Sequence, residues 1–580
     1  MRFKNEDSDL KLYAVAGTQT VLLSFDIDRS KVEGKKLLGF TVERKDAGGN
    51  VKSINGSKHF ASLAKETDPK IKDLSLVQTF YWQDYTVDPG QTYTYTVTPM
   101  FGTALNHAPK FANKIKVTTE ELQKGQHSVY FNYGVTGSQA YARNPEFGNK
   151  PVNDLKGNAL KHALAFLGRE LWSDGLLKFV QQAKNKDFAI YGAFYEFQYL
   201  PFLNEIKAAL DRKVDVQLVV SGKADQYDDK MDKRSGVMKL KNKTMIKKAG
   251  LTSISTLRTK PSQPHNKFMI LCEKGVPKQV WTGSTNITLP GIFGQCNTGH
   301  WVVDNDIAAK YLEYWQGLKG DKSKNIPSDP AMTQQAAVSE KIQADTDLVK
   351  LKNGTYVFFS PRDLPVVPKQ TPAHLVNYAK LIDSAQEMVC MVFPFNLDDV
   401  FAKVYQEDKD YLRLLIFESS TEAQKAKSND SDVKVTGGAV YTGNEKEWAK
   451  EITTKATTGA GILYVHNKFF IVDALSDNPI VLTGSANFSG NSIQNNDENS
   501  LLIKGDKRVA DIYLSEFDRL FVHFWPRYLR LLPTKGKKTP QGFDKPLDET
   551  YTWPIDHYDD TKYQGRRKQM FKNMKGAIKG

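Results

Sequence analysis

The chain has 580 residues, of which 40% are hydrophobic and 25% charged; this composition excludes a disordered or fibrous polymer and predicts several globular units of roughly 150 residues each. A net charge of +14 favours polyanionic partners, namely nucleic acid, an anionic membrane surface or a phosphate-bearing substrate. There is no run of about 18 apolar residues for a membrane span, no apolar core in the charged start MRFKNEDSDLKLY for a secretory leader, and no disulfide framework or C-x-x-C zinc pair in Cys272, Cys296 and Cys390.

Those exclusions lead to an expected cytoplasmic location, with non-classical secretion left open. In chain order, residues 1–122 are predicted to be all-β. VLLSFDI, LLGFTVERK and QTYTYTVTPMFG are short strand-like runs, and the last alternates from Tyr93 to Val97. Pro89 and Gly90 supply the turn before that alternation. A Pro-Gly turn leading into a tyrosine, followed by alternating aromatic and aliphatic residues, resembles a fibronectin type III domain. The resemblance implies a β-sandwich with Trp82 as a core residue and an accessory or binding role.

Residues 123–325 change texture. NALKHALAFLGRELWSDGLLKFVQQA has helical spacing, FAIYGAFYEF from Phe188 is a strand, PFLNEIKAALDRK is a helix with Leu203, Ile206 and Leu210 on one face, and VDVQLVV is a strand. A polar linker is expected over 326–345. Residues 346–535 repeat the order with HLVNYAKLIDSA, EMVCMVFPF, LDDVFAKVYQ and YLRLLIFES. Alternating strands and helices predict mixed, mainly parallel sheets covered on both faces. Residues 536–580 end in TKYQGRRKQMFKNMKGAIKG, with seven Lys or Arg and no acid, and are expected to be a solvated basic tail.

The two α/β blocks share more than texture. HNKFMILCEKGVPKQVWTGSTN runs from His265 to Asn286, and HNKFFIVDALSDNPIVLTGSAN from His466 to Asn487, each 21 positions from His to Asn. Phe188 lies 77 positions before His265 and Met388 lies 78 before His466. Repeated long-range spacing is the signature of an internal duplication. Residues i and i+2 of an extended strand share a face, so His265 and Lys267 are predicted to point together, as are His466 and Lys468. Ser284 and Asn286, like Ser485 and Asn487, then fall at a strand end, where glycine permits close backbone approach.

Two His, two Lys and two Asn suit a phosphodiester. Lysine and asparagine hold the nonbridging oxygens, one imidazole attacks phosphorus, and the other protonates the leaving oxygen and then activates water. This chemistry calls for no cofactor and no metal.

At these residues the chain resembles the phospholipase D superfamily, whose H-x-K-x4-D motif occurs once per half with a downstream G-S-x-N. His466, Lys468, Asp473, Ser485 and Asn487 fit the motif in full; His265, Lys267, Ser284 and Asn286 fit it in part. The resemblance covers about 160–530 and implies a metal-independent phosphodiesterase with a phosphohistidine intermediate on a duplicated α/β fold. The Asp position of the first copy is Cys272, and Glu273 faces the other way along the strand. Eleven residues after Asn487 comes Glu498, whereas eleven after Asn286 comes Asn297. With each partnering the histidine of its own half, as the family often does, Glu498 makes His466 the general acid and Asn297 leaves His265 a neutral nucleophile.

Three readings follow. The first is a phospholipid head-group phosphodiesterase, with the aromatic-rich GAFYEFQYLPF either rimming its entrance or lying in the core, and the basic tail meeting an anionic bilayer. The second is a nuclease of the same mechanism; the third is a non-catalytic binding protein with a relic body. Hydrolysis and transfer are not separated. Both half-sites lie in one chain, so a monomer is expected.

Overall fold

The alternation from Tyr93 is realised as the strand Thr92–Gly102, in which every second residue from Tyr93 to Phe101 is buried. In this computed structural model the described residues are all except 57, 69–71, 73, 148–149, 151, 224–227, 232–237, 321–345, 363–365, 395–396, 427, 429, 439–464 and 533–545. The expected linker at 326–345 therefore lies outside the described residues. Thr92–Gly102 belongs to a five-stranded antiparallel sheet with Leu37–Lys45, Val51–Ser53, His107–Pro109 and Asn113–Thr118. A second sheet contains Arg2–Asn5, Leu10–Ala16, Val21–Ile27 and Tyr81–Asp84. The two sheets enclose one apolar core that includes Phe25, Phe40, Tyr95 and Ile115. The Tyr93 hydroxyl accepts the Asp88 N–H at 2.9 Å, which fixes the turn before the strand. Trp82 is half-buried against this core and donates its indole N–H to the Ile54 carbonyl at 2.6 Å.

The C-terminal segment departs from the expected solvated tail. From residue 546 it is folded, with a helix Tyr563–Asn573 and a strand Ile578–Lys579 that pairs in parallel with Arg2–Asn5. Trp553 and Tyr558 pack on Phe80 of the N-terminal core. Three of its seven cations are buried or half-buried and matched to carboxylates from other regions: Arg567 to Asp518, Lys568 to Asp26, and Arg566 to Asp410 and Asp432. This stretch therefore ties the N-terminal unit to the second block rather than standing free as a solvated tail, while Lys562, Lys572, Lys575 and Lys579 stay exposed.

Each α/β block forms its own sheet. The first has seven strands, among them His127–Phe131, Thr298–Val303, Val276–Gly283, Lys267–Glu273, Phe188–Phe194 and Asp215–Ser221. The second has eight, one of them the short Gln263–Pro264 contributed by the first block, and includes Asn496–Lys504, Ile480–Gly484, Phe469–Val472, Met388–Phe393 and Leu412–Phe417. Both are mixed, but most pairings are antiparallel, which corrects the expectation of mainly parallel sheets. The HNKF strand of each block returns directly as a hairpin through its T-G-S strand instead of crossing over by a helix.

Alternate residues of the HNKF strands serve two cores, as period-2 geometry requires. Phe268 and Ile270 share a central core with Phe469 and Ile471, whereas Met269 and Leu271 face the helices of the first block and Phe470 and Val472 those of the second. Helices Asn305–Gly320 and Lys507–Leu531 also pack into the central core through Tyr311, Tyr314, Trp315, Phe517 and Phe521. The two blocks thus meet through one interior, and this brings both histidines to the same seam.

Candidate active site

Two short backbone exchanges across the seam place the histidines. Gln263–Pro264 pairs in parallel with Asn496–Asp497, and the His265 N–H donates to the Asp497 carbonyl at 3.0 Å. The mirror exchange bridges Cys296 to Val465, and the His466 N–H donates to the Cys296 carbonyl at 3.0 Å. Each histidine is therefore delivered beside the acid or amide of the opposite half. His265 Nδ1 lies 2.8 and 2.9 Å from the two carboxylate oxygens of Glu498. His466 Nδ1 lies 3.0 Å from Asn297 Oδ1. This corrects the expected pairing within each half: the carboxylate belongs to His265 and the amide to His466.

The serines brace these partners. Ser485 Oγ donates to Glu498 Oε2 at 2.6 Å, and Ser284 Oγ to Asn297 Oδ1 at 2.8 Å. Asn297 Nδ2 donates to the Gly291 carbonyl at 2.8 Å, so its oxygen must face His466. The proton of the neutral His466 ring then resides on Nδ1, and Nε2 is left for chemistry. The glycine before each serine is needed for close approach: a Cβ on Gly283 or Gly484 would sit 2.2 Å from the carbonyl oxygen of Thr298 or Asn499. Both glycines have positive φ, 142° and 156°.

Lys267 and Lys468 are buried and donate to the backbone carbonyls of His265 and His466 at 2.6 and 2.8 Å. Burial pulls the Lys267 ammonium down to about 8, opposed by Glu498 and Glu196. Burial, then the Lys267 charge, holds Lys468 well below the usual lysine range. Both histidines are held well below their ordinary value by burial, then by the two lysines, so the resting rings are neutral. Burial pushes the Glu498 carboxyl up to about 8 against Lys267 and hydrogen bonds from Ser485 and Asn496. A dry cluster that sheds charge when empty regains it when an anion enters, because the anion favours both ammonium groups and a second proton on His466.

Asn286 and Asn487 stand at the ends of the two T-G-S-x-N turns, each with a buried side-chain oxygen that has no hydrogen-bond partner. Asn286 Nδ2 donates to Glu196 Oε2 at 2.6 Å. Glu196 and its neighbour Tyr195, whose ring meets His265 edge to face at 4.8 Å, are site residues that motif spacing did not reveal. The available signal was register. Phe194 pairs with Lys267, so the next two residues overhang the site.

Asp473 lies away from this cluster. Its carboxylate accepts the backbone N–H groups of Gln386, Glu387 and Met388 at 2.9, 2.8 and 3.0 Å, which ties down the start of the neighbouring strand. In the first half a longer strand replaces that anchor: Cys272 pairs with Ala189, and the Lys274 N–H reaches the Asp187 carbonyl at 2.6 Å. Asp473→Ala is expected to cost about 2–3 kcal/mol of stability through three orphaned amides, measured by denaturant unfolding, while turnover per folded molecule stays within about threefold.

Among the described residues, no group of three or more His, Cys, Asp or Glu is arranged to hold a metal ion, and no helix is long and apolar enough to cross a membrane. The fold and site define a duplicated α/β body with paired His-Lys strands meeting across a seam. Residues 176–319 and 378–521 match the family described as "Cardiolipin synthase, PLD-like domain", so each half carries one PLD-like domain. The mitochondrial cardiolipin hydrolase of Canis lupus familiaris is 38% identical over 76 residues, which are 13% of this chain and 28% of that protein. The chain thus spans under a third of that relative's length. Among solved structures, the phosphatidylserine synthase of Haemophilus influenzae Rd KW20 aligns at 12% identity and TM-score 0.39 over 71% of this chain and 99% of its own. Yeast tyrosyl-DNA phosphodiesterase aligns at 11% and 0.29 over 57% and 85%.

Proposed function

We propose that the chain is a phospholipase D-type phosphodiesterase that works through a phosphohistidine on His265. The observation that carries this reading is the crossed pairing, in which each histidine has an acceptor at Nδ1 and an Nε2 left for chemistry. His265 Nε2 attacks phosphorus and the bond to the leaving alcohol breaks. His466, protonated on both nitrogens once the anion is bound, gives its Nε2 proton to that alcohol. It then takes a proton from water as the water oxygen attacks and the P–N bond breaks. An incoming alcohol in place of water gives transfer. Lys267, Lys468, Asn286 and Asn487 hold the nonbridging oxygens. Phosphorylation makes the His265 ring cationic, and Glu498 offsets that charge. His466 must gain and lose a proton readily, and Asn297 orients it without fixing its charge.

A phospholipid head-group ester is the favoured substrate, supported by the fused pair of half-sites and by the short match to proteins named cardiolipin hydrolases. A nuclease is the second reading, supported by the net charge of +14. The N-terminal unit is read as a type III-like accessory module, and a monomer holds a complete site.

The test is turnover of phosphatidylcholine, anionic phospholipids, single- and double-stranded DNA and RNA in EDTA. Loss of activity in both His265→Ala and His466→Ala is expected; equal rates in all three proteins would end the paired-histidine reading. The pH profile is a second check. Glu498 must be ionised and gains its charge as pH rises through about 8; Lys267 loses its charge above about 8. A narrow bell in kcat/KM centred near pH 8 is expected, and Glu498→Gln should keep only its alkaline limb.

A further inference from the structure

Behind the His265–Glu498 pair lies a second set of contacts that neither motif announces. Asn266 stands between His265 and Lys267, and Asn499 follows Glu498. Neighbours along an extended strand face opposite ways, so both asparagines turn away from the site. Both are buried, and they meet across the seam: Asn499 Nδ2 donates to Asn266 Oδ1 at 2.9 Å.

The surrounding bonds fix the direction of this contact. The Tyr314 hydroxyl has one proton and gives it to the Ser360 carbonyl at 3.0 Å, so it accepts from Asn266 Nδ2 at 2.9 Å. Asn266 must then present its oxygen to Asn499. At the other end Asn499 Oδ1 accepts the hydroxyls of Thr282 and Tyr311, the latter at 3.0 Å. The chain of bonds starts in the first T-G-S turn and ends at Ser360, which pairs with Glu498 in the second sheet. It closes behind the two residues whose side chains meet at 2.8 and 2.9 Å in the site.

The other pair has a weaker tie. There the residue after Asn297 is Thr298, and Asn467 Nδ2 donates to its hydroxyl at 2.9 Å. Asn467 Oδ1 is buried without a hydrogen-bond partner among the described residues. The amide therefore stands only behind the histidine that carries the carboxylate. Resting on the phosphodiesterase reading, we infer that Asn499 is a positioning residue for His265: tied to Asn266, it holds the two strand starts at the spacing that sets Glu498 against Nδ1 and turns Nε2 toward phosphorus.

The experiment separates this role from general stability. With p-nitrophenyl ethyl phosphate the leaving group needs no proton, so the pre-steady-state burst reports attack by His265 alone. Asn499→Ala is expected to slow the burst about 10–100-fold, the size of effect a small misplacement of a reacting group produces, with KM within about threefold. Asn266→Ala should match it and serves should Asn499→Ala not fold. The double variant should be no slower than either single one. Thr298→Val, the corresponding change behind His466, should leave the burst within about threefold. Proton NMR gives a readout that needs no turnover: the His265 Nδ1 proton, identified by its absence in His265→Ala, should resonate far downfield in the wild type and Thr298→Val and be lost in Asn499→Ala. A burst as fast in both single variants as in the wild type, or an unchanged signal, would overturn the assignment and leave Asn499 an ordinary buried amide. Additive effects in the double variant would overturn it as well, because the two deletions would then act through separate contacts. No burst from the wild type, with the signal behaving as expected, would overturn the phosphodiesterase reading and leave the positioning role standing.

Discussion

His265→Ala is expected to remove turnover of every substrate, to below about one part in ten thousand, because no other group stands ready to attack phosphorus. His466→Ala should behave differently. With an alkoxide leaving group the loss of its proton donor costs about 10²–10⁴ in rate. With p-nitrophenolate, which leaves unprotonated, the first step survives while the second lacks its base. One equivalent of p-nitrophenolate per site is then released in a burst, and an acid-labile phosphoryl adduct accumulates on the peptide containing His265. Peptide mass spectrometry after an acid-free quench reads this directly. An adduct on His466 in the His265→Ala protein would reverse the two roles.

Glu498→Gln is expected to lower kcat by about 10²–10³ while making the protein more stable. The loss of rate follows from the crossed pair, since glutamine still accepts from His265 Nδ1 but no longer offsets the charge of the phosphorylated ring. The gain in stability follows from burial. Glu498 rises from an ordinary 4.5 to about 8 in the fold, so its ionisation opposes folding. Because the folded value is the higher one, this penalty is absent below about pH 4.5, grows through the interval and is complete above about pH 8. Calorimetry should show equal Tm values for the two proteins near pH 4.5. Near pH 8 the variant should melt higher, by roughly 1 °C per kcal/mol of relief, because the unfolding entropy grows with the number of residues that melt together. A variant that melts lower at pH 8 would mean that the carboxylate stabilises the seam. Functional sites commonly carry such a penalty.

Much of the site was legible in the sequence because its signals are local. The H-N-K-F and T-G-S-x-N segments are strands and turns whose side chains follow from period-2 alternation, and their repetition at equal spacing exposes the duplication. The same holds for the Tyr93 strand. Pairing between distant segments was not legible. Glu498 and Asn297 sit at equal offsets from their own motifs, and chain distance assigns each to its own half. The seam assigns each to the other, because the strand ending at Pro264 runs beside Asn496–Asp497. Glu196 lies 90 positions from Asn286 and belongs to no spacing rule. Arg566, Arg567 and Lys568 look solvated in sequence because their partners, Asp26, Asp410, Asp432 and Asp518, come from two distant regions.

The sequence by itself determined that two copies of a His-Lys strand and a Gly-Ser-x-Asn turn exist, and that their side chains suit a phosphodiester. Local backbone geometry is enough for that, since neighbours along a strand or turn have few ways to point. Only the tertiary structure decided which histidine carries the carboxylate, that the Asp473 position could become Cys272 once the first strand lengthened, and that Glu196 overlooks one side of the site. Those are contacts between segments that approach only because two sheets share one apolar interior, and the free energy that joins them resides in that burial rather than in any motif.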